Sequence, residues 1–381
     1  MRESIRLYYI DWLRIIIVAL LIPHHIAITF SHLGDAYVYL PIKDNSIYFF
    51  FQSTFLNLWF MRMLFFVSGI STFYALRKRT NKEYFKERCK KLLLPCVFAI
   101  LFICPAMGYF KAITLNGFNG SLFTFYPVFF KNIVAYLGWA HFWFLVYLFV
   151  FSMIFLLIRM SLKNMDNLTE RIGGFLSKSS NIMIPIFVFA LLETTFRPFY
   201  PGFQTLINDW ANFTVYLSFF LLGYIIASNK NCINAILNNL RLFTIIAIVS
   251  AGLFLFLKYA QNNIFSFVNY YNDKTYTYQL YLSFIQGLAE YSLVFTFFGY
   301  SKLYLNKDNK IYRYLSKTSF SLFIFHFLLV NVTMYFTINL SLNHFAIYLL
   351  SISIVYCLFF ILYEIFIKQI PPLRFILGIK K

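Results

Sequence analysis

Long uninterrupted apolar runs recur from one end of the chain to the other, at 15–33, 47–76, 92–113, 139–160, 181–196, 211–228, 240–257, 279–300, 318–338 and 344–367. A helix needs about 20 apolar residues to cross the hydrocarbon core of a bilayer, so these runs predict about ten helical spans. They are continuously apolar rather than alternating, which excludes a β-barrel, and a backbone in lipid must satisfy its hydrogen bonds within its own segment. The expected fold class is therefore all-α integral membrane protein. Composition points the same way: 60% hydrophobic residues against 12% charged is more apolar surface than one soluble core can bury. The run at 181–196 is short and is followed by Arg197 and Pro198, which leaves a re-entrant segment open and makes the count good to one span.

Basic residues set the expected orientation. Taking alternate loops, one set holds Arg2, Arg6, the cluster from Arg77 to Lys91, and the basic residues of 159–178, 230–241, 302–317 and 368–381. The other set holds only Lys43, Lys111, Lys131, Arg197, Lys258 and Lys274. The positive-inside rule then puts both termini in the cytosol and the protein in a cytoplasmic-type membrane. The formal charge of +19 is accounted for by this topology and by attraction to anionic lipid, not by nucleic acid. Cys89, Cys96, Cys104, Cys232 and Cys357 show neither a CxxC pair nor Cys/His ligand spacing, so no zinc site or disulfide framework is expected. The first run carries Asp11 and Arg14 at its entrance and lacks a small-residue cleavage site, which reads as a retained span. The polar stretches are too short for a second soluble domain, so residues 1–381 are expected to form a single membrane domain.

Ionisable groups at membrane depth are costly and face a bundle interior or a watery cavity, which makes each one a site candidate. Here they are Arg14, His24, His25, Arg62, His141, Glu193, Glu290 and His326. Arg14 and His25 are eleven residues apart, which returns to within about 20° of one helix face and rises roughly 16 Å along the axis. His24 points elsewhere. Asp11, three residues before Arg14, is placed to pair with it. In the second span Arg62 and Gly69 share a face, with Ser68 and Ser71 beside them, and small residues there let another helix approach closely. The segment Arg77–Lys91 is a solvated positive-inside loop or, more sharply, a binding surface for a cytosolic polyanion such as a coenzyme A phosphate.

The strings YIDWLR at 9–14 followed by His25, LFFVSGIS at 64–71 and YFKERCKKLLLP at 84–95 resemble, in order, the membrane-bound acyltransferase-3 family. HFWFLVYL at 141–148, FFLLGYIIA at 219–227 and SFSLFIFH at 319–326 extend the resemblance over nearly the whole chain, toward the branch that includes the periplasmic glucan succinyltransferases. The resemblance implies a bacterial enzyme that moves an acetyl or succinyl group from cytosolic acyl-CoA to a hydroxyl of a cell-envelope glycan or glycolipid, without a metal. Arg14 and His25 match the arginine and histidine of the family's first-span R-x10-H motif, as catalytic residues. Arg88 matches the first position of its RxxR motif, and Lys91 stands where the second arginine is usual. Arg14, Arg88 and Lys91 are thus the expected acyl-CoA-binding residues. No charged residue of the family is matched by Glu290. Asp11, Arg62, Ser68, His141, Glu290 and His326 are the further site candidates.

Acyl transfer to an alcohol needs a base for the hydroxyl, stabilisation of the tetrahedral oxyanion, and exclusion of water from the thioester. Imidazole titrates near neutrality, so His25 suits the base; an acyl-imidazole at His25 stays open. A secondary transporter or flippase of a glycan or lipid-linked intermediate also has about ten spans and buried ionisable groups, but repeat symmetry and paired broken helices are not legible here.

Overall fold

In the computed structural model residues 7–31, 46–133, 139–202, 204–263 and 273–379 are described. The sequence reading of the basic residues Arg2, Arg6, Lys43, Lys380 and Lys381 lies outside them. Every regular element among the described residues is helical. In chain order these are α1 (Tyr8–Thr29), α2 (Ile47–Leu76), α3 (Asn81–Leu115), α4 (Leu122–Lys131), α5 (Ala140–Ser161), α6 (Met165–Leu176) and α7 (Asn181–Phe196). There follow α8 (Trp210–Ser228), α9 (Asn231–Asn238), α10 (Leu240–Asn263), α11 (Asp273–Tyr304), α12 (Lys310–Thr337), α13 (His344–Ile367) and α14 (Pro371–Leu377). Nine of the described helices are long and apolar enough to cross a membrane. The short run at 181–196 falls in α7, which meets α6 at a bend of 107°; counting the bent pair as one broken span gives ten.

Prolines follow the irregular turns of α3. The widened π-helical turns of α3, at Cys89–Leu93 and Ala99–Ile103, stand just ahead of Pro95 and Pro105. A proline has no N–H to return to the preceding turn and its ring crowds the carbonyl there, and a wider turn relieves both. In α1 the helix runs unbroken through Pro23. The missing N–H leaves the carbonyl of Ala19 without its usual partner, and the hydroxyl of Tyr356 donates to it at 2.8 Å. The Pro23 carbonyl itself accepts from Nε2 of Gln52 at 3.3 Å. The segment that carries His24 and His25 is therefore tied to α13 and α2 by side chains that replace or extend its own ladder.

Two compact units divide the chain. The first comprises Met1–Arg14, Thr54–Phe85 and Val150–Asp308; the second comprises Ile15–Ser53, Lys86–Phe149 and Asn309–Lys381. Within the first, α2 and α8 cross where Gly69 faces the Phe220 carbonyl and Gly223 faces the Phe66 carbonyl, each so close that a methyl group would collide with backbone. Gly287 of α11 meets the backbone of Phe189 and Ala190 in α7 in the same way. The close approach expected of Gly69 is thus realised, and without a hydrophobic force between helices in lipid such packing is a main source of association. Within the second unit, α12 and α13 start on asparagine caps: Asn309 accepts from the Tyr312 N–H at 2.7 Å and Asn343 from the Ala346 N–H at 2.8 Å.

Candidate active site

The second unit gathers histidines. The His25 ring of α1 lies 5.3 Å, centre to centre, from the His326 ring of α12 and 4.5 Å from that of Phe327. His326 lies 4.7 Å from His141, at the start of α5. His24 meets His25 edge-on at 5.3 Å. His24, His141 and His326 are buried, and His25 is partly so. Three segments far apart in sequence thus place four imidazoles in one neighbourhood.

Hydrogen bonding fixes the state of two of these rings. Nδ1 of His326 lies 2.7 Å from the Phe323 carbonyl oxygen, and Nε2 of His141 lies 3.1 Å from the same oxygen. A carbonyl only accepts, so both nitrogens must carry hydrogen. Nε2 of His326 and Nδ1 of His141 are buried with no hydrogen-bond partner. In the neutral rings these are bare lone pairs, the form that accepts a proton or a hydrogen bond. Among the described residues no group of three or more His, Cys, Asp or Glu side chains is arranged to hold a metal ion. The bare ring nitrogens offer acid–base chemistry.

Arg14 belongs to the first unit. Its guanidinium donates to Oδ1 of Asp11 at 3.0 Å, to the Val67 carbonyl at 3.2 Å, and to the hydroxyl of Ser71. The i to i+3 pairing with Asp11 read from the sequence is present. Its neighbour in the second span is Ser71; Ser68 donates back to the Leu64 carbonyl of its own helix at 2.7 Å.

A second polar centre lies in the first unit. The Arg62 guanidinium, buried, donates to Glu290 and to the Asn57 carbonyl, and sits 3.8 Å from Glu193. Arg197 grips Glu193 with two bonds of 2.7 Å, and Gln286 donates to Glu290 at 2.8 Å. Arg62 also lies over the Tyr216 ring at 5.3 Å. Arg62 and Glu290 are thus one network, as their depth suggested. Sequence reading missed that Arg197 and Gln286 complete it, although both sit four residues from a glutamate on the same helix face.

Arg88 and Lys91 lie on α3 in the second unit. Lys91 is exposed and pairs with Glu87 at 2.6 Å. Arg88 caps the first π-helical turn and Lys91 lies within it, a feature frequent at functional positions.

The family model described as "Acyltransferase domain" matches residues 7–364. Similar relatives are Glucans biosynthesis protein C of Escherichia coli SMS-3-5, 28% identical over 236 residues, and its counterparts in Escherichia coli K12 and Shigella dysenteriae serotype 1 Sd197, each 27% identical. Each alignment covers 57% of this chain and 57% of the relative's length. No solved structure matches. The family model covers nearly the whole chain, including both Arg14 and the histidines: this multi-pass membrane protein belongs to the acyltransferase-domain family.

Proposed function

We propose that the protein transfers an acyl group, acetyl or succinyl, from cytosolic acyl-CoA to a hydroxyl of a cell-envelope glycan, in the cytoplasmic membrane of a bacterium and as a single membrane domain with cytosolic termini. The observation that carries this is the setting of His25: a partly buried imidazole on a membrane-spanning helix, beside two rings whose bare nitrogens have no protein partner. The relatives' printed role in glucan biosynthesis supports a glycan as acceptor.

His25 takes the hydroxyl proton as the oxygen attacks the thioester carbonyl. On collapse the C–S bond breaks and the thiolate recovers that proton. The apolar rings of Phe327 and Phe323 around the imidazoles keep water from competing for the acyl group. Arg88 and Lys91 are the proposed partners of the donor's phosphates.

The test is transfer from labelled acetyl-CoA or succinyl-CoA by protein in lipid nanodiscs, paired with mass spectrometry of envelope glycans with and without the gene. His25→Ala should abolish thioester consumption in a folded protein, and His24→Ala should matter less. Full activity in His25→Ala, or unchanged glycan masses in the deletion strain, would remove the assignment.

A further inference from the structure

Resting on the acyl-transfer chemistry proposed above, we propose that His326 is the positioning residue of His25: its Nε2 accepts the ring N–H that His25 does not use in proton transfer. Three observations converge on it. Nδ1 of His326 is committed to the Phe323 carbonyl at 2.7 Å, so its other nitrogen is the acceptor. That Nε2 is buried and has no partner, in a residue with 0% of its surface exposed. His25 is a neighbouring imidazole, with ring centres 5.3 Å apart, and the other near imidazole, His141, already has its Nε2 on the Phe323 carbonyl.

The spacing is informative. Two imidazoles joined by an N–H···N bond of about 2.9 Å, each nitrogen lying about 1.1 Å from its ring centre, have centres about 5.1 Å apart. The ring centres therefore stand near the separation such a bond requires, and it is the His25 ring that turns to make it while His326 keeps its Nδ1 bond to Phe323. Such tightening on substrate binding is common at catalytic hydrogen bonds.

The consequence for the reaction follows atom by atom. With one nitrogen of His25 holding its hydrogen against His326, the other is bare and meets the acceptor hydroxyl. The O–C bond forms as the O–H bond breaks, and the proton goes to that bare nitrogen. His25 is then an imidazolium, whose second N–H is held by His326 Nε2. When the C–S bond breaks, the thiolate takes the proton back and the pair is restored. His141 acts one step further out: it shares the Phe323 oxygen with His326 and braces that ring.

Two polar substitutions separate this role from mere packing. In His326→Asn the amide can still donate to the Phe323 carbonyl but does not reach the position of Nε2. In His326→Gln the longer side chain puts an amide oxygen there. With acetyl-CoA as donor and the extracted glycan fraction as acceptor, His326→Asn is expected to lower kcat by about a hundredfold or more with KM for both substrates within about threefold. His326→Gln should recover at least tenfold of that loss. Equal kcat in the two variants, or a loss confined to KM, would overturn the proposal. A wild-type protein that transfers nothing, by contrast, would overturn the function on which it rests.

Discussion

Arg62 and Glu290 stand 228 positions apart in the sequence and meet in a buried ion pair. Buried charges at membrane depth persist when they are paired, and this pair joins α2 to α11.

Breaking that pair should leave an uncompensated buried charge. Glu290→Ala is expected to cost about 3–5 kcal/mol of stability. Replacing both partners with apolar residues, Arg62→Met with Glu290→Leu, should restore most of the loss. Thermal unfolding of the three variants in detergent micelles checks this; a double variant as unstable as the single one would show that the network, not the pair, is what matters.

The glycine crossings give a second prediction. An alanine methyl at Gly69 or Gly223 would press on a backbone carbonyl of the facing helix, which cannot turn away as a side chain can. Gly69→Ala and Gly223→Ala should each destabilise by about 1–3 kcal/mol or more. Gly252 lies in α10 with nothing among the described residues within 4 Å of an added methyl, and Gly252→Ala should raise stability by about 0.5–1 kcal/mol. Melting temperatures in matched detergent should move in opposite directions.

The tie at Pro23 makes a third. Tyr356→Phe removes the donor to the Ala19 carbonyl and should cost about 1–3 kcal/mol. Pro23→Ala restores a backbone N–H able to bond that carbonyl, so Tyr356→Phe in the Pro23→Ala background should cost much less. A double-mutant cycle measures the coupling directly. Equal costs in both backgrounds would mean that the tyrosine packs rather than caps.

These cases show where sequence reading reached and where it stopped. The helices were legible because apolar runs of span length have no other use; the shortness of 181–196 marked an irregular span, but the 107° bend lies ahead of that run, between α6 and α7, and not at the Arg197-Pro198 that follows it. Asp11 and Arg14 were legible because helix geometry alone puts them together. The partner of Arg62 was not, since nothing local ties residue 62 to residue 290. Nor was the Phe323 carbonyl, because a backbone oxygen has no letter in a sequence; only the fold shows that one acceptor sets the hydrogen positions of both His141 and His326.

The basic pair on α3 carries the last prediction. Arg88 caps the Cys89–Leu93 π-helical turn and Lys91 lies within it, already paired with Glu87 at 2.6 Å. If coenzyme A phosphates bind there, each contact to a guanidinium in a partly desolvated site supplies about 1.5–3 kcal/mol, so Arg88→Ala should weaken donor binding by roughly ten- to a hundredfold. Lys91 is exposed and must leave Glu87 to reach a phosphate, so Lys91→Ala should weaken binding less than Arg88→Ala. Lys91→Arg, which restores the residue usual in the family's motif, should be tolerated. Lys91→Glu should be damaging, because two neighbouring carboxylates then repel the phosphates as well as each other. Glu87→Gln releases Lys91 and should tighten donor binding. Calorimetry with a non-hydrolysable acyl-CoA analogue decides the matter: unchanged affinity in both Arg88→Ala and Lys91→Glu would place the donor's phosphates away from α3.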